Sequence, residues 1–221
     1  SGWSDGKVRA FFPESGLLKF IIHDAHSDGV TAVACTNDGT RCVTGGVDGR
    51  VRMWGMRNQD MIASLKEHKA TITSITIRDG DEECVSASDD GSCMVWDLRR
   101  YTRNQAMFAS TLFRGILYHP DESQLLTCGS DRKLSYWDAY DGTAIRVIEG
   151  SNQEINSIDI TKPDGNVFVS GGNDKTVRVW DYDDGICHFI GEGHSGNINK
   201  VAIAPGNDCV VSVGGEGAIF I

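Results

Sequence analysis

What the sequence lacks excludes several broad classes of protein. No apolar run approaches the roughly 18 residues of a membrane-spanning helix, and residues 1–6 show no features of a secretory signal. The 21 Lys and Arg residues are outnumbered by 31 Asp and Glu residues, which gives a formal net charge of -10. Because general nucleic-acid binding needs a basic surface, this balance argues against it. We therefore expect neither a membrane nor a nucleic acid as partner.

Sites for metals, cofactors and small molecules are also missing. There is no Cys-x-x-Cys motif, and His23, His119 and His188 do not have the spacing of metal ligands. The glycine-rich stretch Gly45-Gly46-Val47-Asp48-Gly49 does not precede a helical pattern, so it is not a phosphate-binding loop. The sequence predicts no metal, no cofactor and no small-molecule substrate.

Tryptophan recurs at a nearly constant interval. Four of the five tryptophans are 42, 41 and 43 positions apart: Trp54, Trp96, Trp137 and Trp180. Each follows an aspartate by six positions: Asp48, Asp90, Asp131 and Asp174. A fixed period in this range indicates an array of one supersecondary unit.

Each period contains four strand patterns and no helical one. Short apolar runs precede and follow each aspartate, with the alternation of a half-buried strand. Asp-Gly at 48–49 and 90–91 predicts a type I′ hairpin turn, and we expect Asp131-Arg132 and Asp174-Lys175 to be strained or of another type. The fold class is therefore all-β, built from four-stranded antiparallel units.

Histidine and hydroxyl residues keep the same register as the tryptophans. A hydroxyl stands ten positions before each Trp, and one matches in the fifth unit: Thr44, Ser86, Thr127, Ser170 and Ser212. His26 and His68 lie 28 positions before Trp54 and Trp96. His194 lies 28 positions before 222, where the series would place its next aromatic residue. The spacing predicts a hydrogen-bond chain from acid to histidine to hydroxyl to indole in each unit.

Such a set could also be read as a catalytic triad. A catalytic set occurs once per site, whereas this one recurs with the repeat beside a core Trp that must satisfy its own N–H. We therefore predict structural networks, no catalytic residues and no enzyme activity. The third and fourth units have Ala109 and Asn152 in place of His, so their networks should be incomplete and these units less rigid.

The cysteines follow the repeat as well. Cys35, Cys42, Cys84 and Cys93 fall at positions that other units fill mainly with aliphatic residues. A buried free cysteine behaves as a small hydrophobe, so we expect these four in the core. The pattern favours a reduced, intracellular protein over a disulfide framework.

These motifs resemble those of the WD-repeat (WD40) family of β-propellers. The resemblance rests on the networks above, on Gly193-His194, and on Trp96-Asp97, Trp137-Asp138 and Trp180-Asp181. It implies a propeller of four-stranded blades, of which residues 1–221 are expected to be a part, with seven blades in the parent. The expected divisions are the end of a blade at 1–24, full blades at 25–66, 67–110, 111–150 and 151–192, and a truncated blade at 193–221.

Other stretches resemble one group within that family. They are Gly2 to Phe11, Arg103-Asn104-Gln105 with Thr111-Leu112-Phe113, Gly171 to Asp174, and Gly193 to Ile198. They are similar to the C-terminal propeller of the WD-repeat proteins of cilia and flagella that line axonemal doublet microtubules. The resemblance implies a cytoplasmic and axonemal scaffold without enzyme activity, which binds tubulin and other axonemal proteins and stabilises the doublet.

One basic segment stands out in this acidic chain. Arg99, Arg100, Tyr101 and Arg103 lie in a predicted insertion after the Trp96 strand, and Arg114 follows nearby. Arg and Tyr are frequent interface residues, so the segment is a candidate contact for an acidic partner such as tubulin. The alternative is a solvated loop without a partner.

A second function remains open. Trp96-Asp97-Leu98-Arg99 resembles the end of the motif by which some WD-repeat proteins dock on cullin-type ubiquitin ligases as substrate receptors, and Asp90 and Ser86-Ala87-Ser88 also fit it. Cys84 and Met94 depart from the aliphatic residues of that motif.

Overall fold

The structure, a computed structural model, describes residues 1–221. It contains 21 β-strands and no helix, so no helical segment is long and apolar enough to span a membrane. The chain divides into two compact units, Ser1–Ala109 and Ser110–Ile221.

The first unit contains three antiparallel sheets. A two-stranded sheet comes first: β1 (Val8–Phe11) and β2 (Leu18–Ile22). A four-stranded sheet follows in chain order: β3 (Val30–Cys35), β4 (Arg41–Gly46), β5 (Val51–Gly55) and β6 (Met61–Leu65). The third sheet is also four-stranded: β7 (Ile72–Ile77), β8 (Glu83–Ser88), β9 (Ser92–Asp97) and β10 (Thr102–Phe108).

The second unit repeats this architecture. Two sheets have four strands each: β11 (Phe113–Tyr118), β12 (Gln124–Gly129), β13 (Lys133–Asp138) and β14 (Ala144–Glu149); then β15 (Ile155–Ile160), β16 (Val167–Gly172), β17 (Val177–Asp181) and β18 (Cys187–Gly191). A three-stranded sheet follows: β19 (Ile198–Ile203), β20 (Val210–Gly214) and β21 (Ile219–Phe220). The predicted all-β fold of four-stranded antiparallel blades is confirmed.

Within each unit, neighbouring sheets pack face to face around small apolar clusters. In the first unit, Val43 and Met53 of one sheet share a cluster with Ile72 and Ile75 of the next. Gly45 makes this approach possible, because a Cβ at that position would collide with Ile72. In the second unit, Gly171 has the same relation to Ile198. In these two contacts the absence of a side chain at one repeat position lets the next sheet approach closely.

The turn between the second and third strands differs from the predicted type I′ hairpin, which was wrong. A type I′ turn needs positive φ at both central residues, but only Gly49 has one, at 68°. Gly49 N–H donates to the Gly46 carbonyl, and Gly46 N–H donates to that of Arg50. These bonds define a three-residue loop that ends in a left-handed residue.

The same loop recurs where glycine is absent, so the expectation of another turn type was also wrong. Arg132 and Lys175 have φ of 69° and 66°, close to that of Gly49, and they donate to the Gly129 and Gly172 carbonyls. Both residues therefore adopt a conformation that is unfavourable for side chains with a Cβ. In this respect the expected strain is present.

The cysteine prediction is confirmed at three positions and wrong at one. Cys42, Cys84 and Cys93 are at most 2% exposed, whereas Cys35 at the end of β3 is exposed. Among the residues at the equivalent ladder position, Ile77 and Ile203 are half-buried, whereas Tyr118 and Ile160 are buried.

Candidate functional site

In the sheet β3–β6, a buried hydrogen-bond chain joins four side chains that the sequence places far apart. His26 Nδ1 lies 2.8 Å from Asp48 Oδ1, and His26 Nε2 lies 2.8 Å from Thr44 Oγ1. The Trp54 indole N–H donates to the same Thr44 oxygen over 2.9 Å. The β4–β5 hairpin brings Thr44, Asp48 and Trp54 together, and the chain before β3 supplies His26.

Burial and hydrogen bonding fix the protonation of this chain. Burial lowers the pKa of His26 despite its bond to Asp48, so the imidazole is neutral at pH 7. For Asp48, burial acts upward, but hydrogen bonds from His26 and Arg52 outweigh it and lower the pKa. The Nδ1–H therefore donates to the carboxylate, while Nε2 accepts from the Thr44 hydroxyl.

One other unit holds the same chain, and a third holds its histidine bonds without an indole. His68 contacts Asp90 at 3.1 Å and Ser86 at 2.7 Å, and Trp96 donates to Ser86 over 2.8 Å. Burial, the largest influence, lowers the pKa of His68 as it does that of His26. In the sheet β19–β21, His194 lies 2.5 Å from a carboxylate oxygen of Glu216 and 2.8 Å from Ser212 Oγ.

The third and fourth sets are shorter, in line with the absence of histidine. Trp137 donates to Thr127 and Trp180 donates to Ser170, over 2.8 Å and 2.9 Å. Asp131 caps its own turn by accepting from the Lys133 backbone N–H at 3.3 Å.

The fourth unit compensates for its missing histidine. Ser151 Oγ donates to Asp174 Oδ2 over 2.6 Å, and Arg178 Nη2 donates to the same oxygen over 2.8 Å. Arg178 also donates to the Gly150 carbonyl. The lower rigidity expected for the third and fourth units stays a prediction.

Sequence reasoning missed two arginines, Arg52 and Arg178, each of which donates hydrogen bonds to the carboxylate of its unit. Arg52 Nη1 donates to Asp48 Oδ2 at 2.8 Å and to the Ala25 carbonyl at 2.7 Å. The same atom lies 2.7 Å from His26 Nδ1, but that nitrogen carries the hydrogen given to Asp48 and cannot accept. The signal was the spacing Asp-x-x-x-Arg, which joins Asp48 to Arg52 and Asp174 to Arg178.

The networks have the burial and bonding of structural groups. Thr44 and Ser86 are 0% exposed and Ser212 is 4% exposed, so their hydroxyls are out of reach of a substrate. In the two complete sets each hydroxyl oxygen also accepts from the neighbouring indole. The hydrogen bonds link the two central strands of a sheet, such as β4 and β5, to the segment that precedes its first strand.

The predicted partner-binding segment forms a tight turn followed by a strand. Asp97 Oδ1 accepts the backbone N–H groups of Arg99 and Arg100, at 2.7 Å and 2.8 Å. Tyr101 N–H donates to the Asp97 carbonyl, and Tyr101 has a left-handed φ of 59°. We call residues 97–103 the arginine turn.

The expectation of a longer inserted loop at Arg103 was wrong. Residues 102–108 form β10, the outermost strand of its sheet, and Arg103 is paired with Trp96 of β9. Polar side chains on an edge strand hide the period-two pattern, which is why the sequence did not reveal this strand.

The arginine turn carries both paired and unpaired charge. Arg99 Nη2 lies 2.5 Å from Glu82, and Arg103 Nη1 lies 2.5 Å from Glu67. The backbone hydrogen bonds from Arg100 and Arg99, aided by their charges, outweigh the effect of burial and lower the pKa of Asp97. Arg100 and Tyr101 are exposed.

Arg114 is not part of this turn. It lies half-buried on β11 in the second unit.

Comparison with known proteins agrees with this geometry. The model of the WD domain, G-beta repeat, matches residues 18–55, 59–97, 110–138 and 142–181. The chain belongs to the WD40 repeat family.

Among curated proteins, three similar relatives carry one name, Cilia- and flagella-associated protein 52. The Sus scrofa protein is 51% identical over the whole chain, the Homo sapiens protein 50% over 73% of it, and the Chlamydomonas reinhardtii protein 52% over 73% of it. The chain spans 36% of the length of the first of these and 27% of the other two.

Proposed function

We propose that this chain is a protein-interaction module of a scaffold in cilia and flagella. The observation that carries the proposal is the identity of about half of the aligned residues with relatives named for cilia and flagella, from Sus scrofa to Chlamydomonas reinhardtii. The module would act in the axoneme and in the cytoplasm from which axonemal proteins are delivered.

The side-chain geometry supports a binding role over a catalytic one. The recurring acid, histidine and hydroxyl residues are hydrogen-bonded to one another inside the chain. What the surface offers instead is exposed Arg and Tyr on a turn whose backbone is fixed by Asp97. A rigid turn loses little conformational entropy when a partner binds.

The partner proposed here is tubulin, with stabilisation of doublet microtubules as the consequence. Tubulin is acidic, and the arginine turn is a concentration of positive charge in a chain of net charge -10. Arg100 would make the first contact, because Arg99 and Arg103 would each have to leave an ion pair with a glutamate before they could bind tubulin. Charged contacts of this kind weaken as salt screens them.

Co-sedimentation with purified axonemal doublets tests the proposal. The variant replaces Arg99, Arg100 and Arg103 with Gln rather than Glu, because a glutamate at 99 or 103 would face Glu82 or Glu67. The wild-type chain is expected to pellet with doublets and to be released as salt rises, and the variant to lose most of its binding at low salt.

A matched variant controls for the change in charge. It replaces three other exposed cations with Gln: Arg57, Lys162 and Lys200. Equal losses of co-sedimentation in both variants would show that only the net charge matters. Unchanged co-sedimentation of the arginine-turn variant would show that the turn does not contact the doublet. A different result would favour the second function. If the wild-type chain does not pellet with doublets but purifies from ciliated cells with an adaptor of a cullin-type ubiquitin ligase, the substrate-receptor hypothesis replaces the axonemal one.

A further inference from the structure

Two cysteines face one another across the first hairpin of the sheet β3–β6. Cys35 is the last residue of β3, Cys42 is the second residue of β4, and the antiparallel register pairs them directly. Both thiols are free. None of the other sheets repeats the pair, because Ile77 opposes Cys84 and Ile203 opposes Val210.

The ladder places this pair at the closer of the two spacings of an antiparallel sheet. Thr36 N–H donates to the Arg41 carbonyl, so residues 36 and 41 form a hydrogen-bonded pair. The adjacent pair, Cys35 and Cys42, is therefore a non-hydrogen-bonded one, whose Cα atoms are typically about 4.5 Å apart. That separation lies within the range that a disulfide can bridge, about 4.4–6.8 Å.

The two thiols differ in environment in the way that oxidation requires. Cys35 is exposed, while Cys42 opposite it is only 2% exposed. The neighbouring Cys42 thiol lowers the pKa of Cys35, whereas the Cys35 thiol together with burial raises the pKa of Cys42. The exposed thiol is thus the more readily ionised and more nucleophilic of the two.

We propose that Cys35 and Cys42 form a redox-active dithiol site that a hydroperoxide oxidises to a cross-strand disulfide. The Cys35 thiolate attacks one peroxide oxygen, which breaks the O–O bond, leaves Cys35 as a sulfenic acid and releases hydroxide or alkoxide. Cys42 sulfur then attacks the Cys35 sulfur, the S–O bond breaks, and hydroxide leaves with the Cys42 proton as water. The two thiols lose two electrons, and the peroxide gains them.

The site lies beside a contact between two sheets. The turn between Cys35 and Cys42 contains Asn37 and Asp38, whose backbone N–H groups donate to Asp81 of the next sheet at 2.8 Å and 3.0 Å. A disulfide would fix the base of this turn covalently. Oxidation would therefore act next to the contact between this turn and Asp81 of the neighbouring sheet.

Peptide mapping tests the proposal without ambiguity, because trypsin cleaves after Arg41, between the two cysteines. The folded chain is treated with stoichiometric hydrogen peroxide, its remaining thiols are alkylated after denaturation, and the digest is analysed by mass spectrometry. The expected product joins peptides 20–41 and 42–50 through a disulfide and is lost on treatment with dithiothreitol.

Two variants separate the steps. Cys42→Val keeps an apolar residue where the fifth unit has Val210, so it should fold and should accumulate a Cys35 sulfenic acid that a 1,3-dione traps. Cys35→Ser should give no cross-linked peptide and leave Cys42 reduced.

Three results would overturn the proposal. One is a wild-type Cys35 that reaches the sulfinic acid while Cys42 stays alkylatable. Another is a linkage of Cys35 to Cys187 or Cys209, which are half-buried, the first on β18 and the second just before β20. The third is a native Cys35 that reacts with iodoacetamide no faster than those two, where a severalfold advantage is expected.

Discussion

At the scale of the residue, one hydroxyl can hold two buried partners. Ser86 is 0% exposed. Its oxygen accepts a hydrogen bond from the Trp96 indole, and its hydroxyl donates one to His68 Nε2. Ser170 is also buried but holds only Trp180. The two serines therefore form a natural comparison between a complete and a shortened network.

Removing the hydroxyl should cost more in the complete network. Ser86→Ala leaves two buried polar groups without partners, so we expect a loss of about 2–4 kcal/mol in the free energy of unfolding. Ser170→Ala leaves one, and about 1–2 kcal/mol is expected. Urea unfolding followed by tryptophan fluorescence measures both, and equal losses would contradict the two-partner role of Ser86.

The networks could be predicted at this scale because their members recur at fixed offsets. His26, Thr44, Asp48 and Trp54 are far apart in sequence, yet the repeat aligns them with a second set in which only Ser86 replaces Thr44. Arg52 was not recognised, because only the fourth full unit repeats it, with Arg178, while its counterpart in the next unit is Met94. Its role depends on the side-chain path to Asp48, which spacing alone does not define.

At the scale of the element, the hairpin loop imposes one backbone conformation on different residues. Gly49 and Gly217 adopt a left-handed φ at no steric cost, whereas Lys175 adopts it with a Cβ. The Lys175 side chain is exposed, so the backbone conformation dominates the effect of a substitution there.

Exchange of residues at this loop position should have opposite signs in two sheets. Lys175→Gly is expected to raise the free energy of unfolding by about 0.5–1 kcal/mol, because relief of the left-handed strain exceeds the entropy cost of glycine. Gly217→Ala, where no atom lies within 4 Å of the new Cβ, should lower it by about 1 kcal/mol. Thermal unfolding of the two variants checks this, and a destabilised Lys175→Gly would show that the lysine side chain stabilises the loop.

The element boundaries show where pattern reading fails. Strands with one buried face, such as Val51–Gly55, were visible through their alternation. The edge strand Thr102–Phe108 was not, because its first three side chains are all exposed. The turn type was missed since Asp-Gly fits both a two-residue and a three-residue loop, and the ladder bonds decide between them.

At the scale of the whole molecule, the buried imidazoles make stability depend on pH. His26 and His68 have folded-state pKa values below the ordinary 6.5, mainly because of burial. In the unfolded chain they regain ordinary values and bind protons more readily. Their contribution to stability is therefore fully present above pH 6.5 and is lost as pH falls below it.

The free energy of unfolding should accordingly decline from about pH 6.5 downward, by at most about 1.4 kcal/mol per pH unit for each histidine. Urea unfolding at pH 7.5, 6.5, 5.5 and 5.0 measures the slope. A double variant, His26→Gln and His68→Gln, should be less stable at pH 7.5 but show a shallower decline. The same slope in both proteins would assign the acid sensitivity to other groups.

The molecular architecture followed from the tryptophan period, since a period of about 42 residues with four strand patterns fits few folds. The arginine turn could be located but not characterised from sequence. Its pairing with Glu67 and Glu82 depends on which residues the β7–β10 sheet brings near it, and those lie 17 to 36 positions earlier.

The hydrogen bonds between neighbouring sheets also step by about one repeat. Thr31 donates to the Ile72 carbonyl, Asn37 Nδ2 to that of Asp79, and Asn156 to that of Ile198, 41 or 42 positions later. In these three bonds the donor and the acceptor are therefore related by about one whole repeat. Addition of one whole repeat would preserve this spacing, whereas an insertion of a few residues within a strand would shift the register of that sheet and of its contacts with its neighbours.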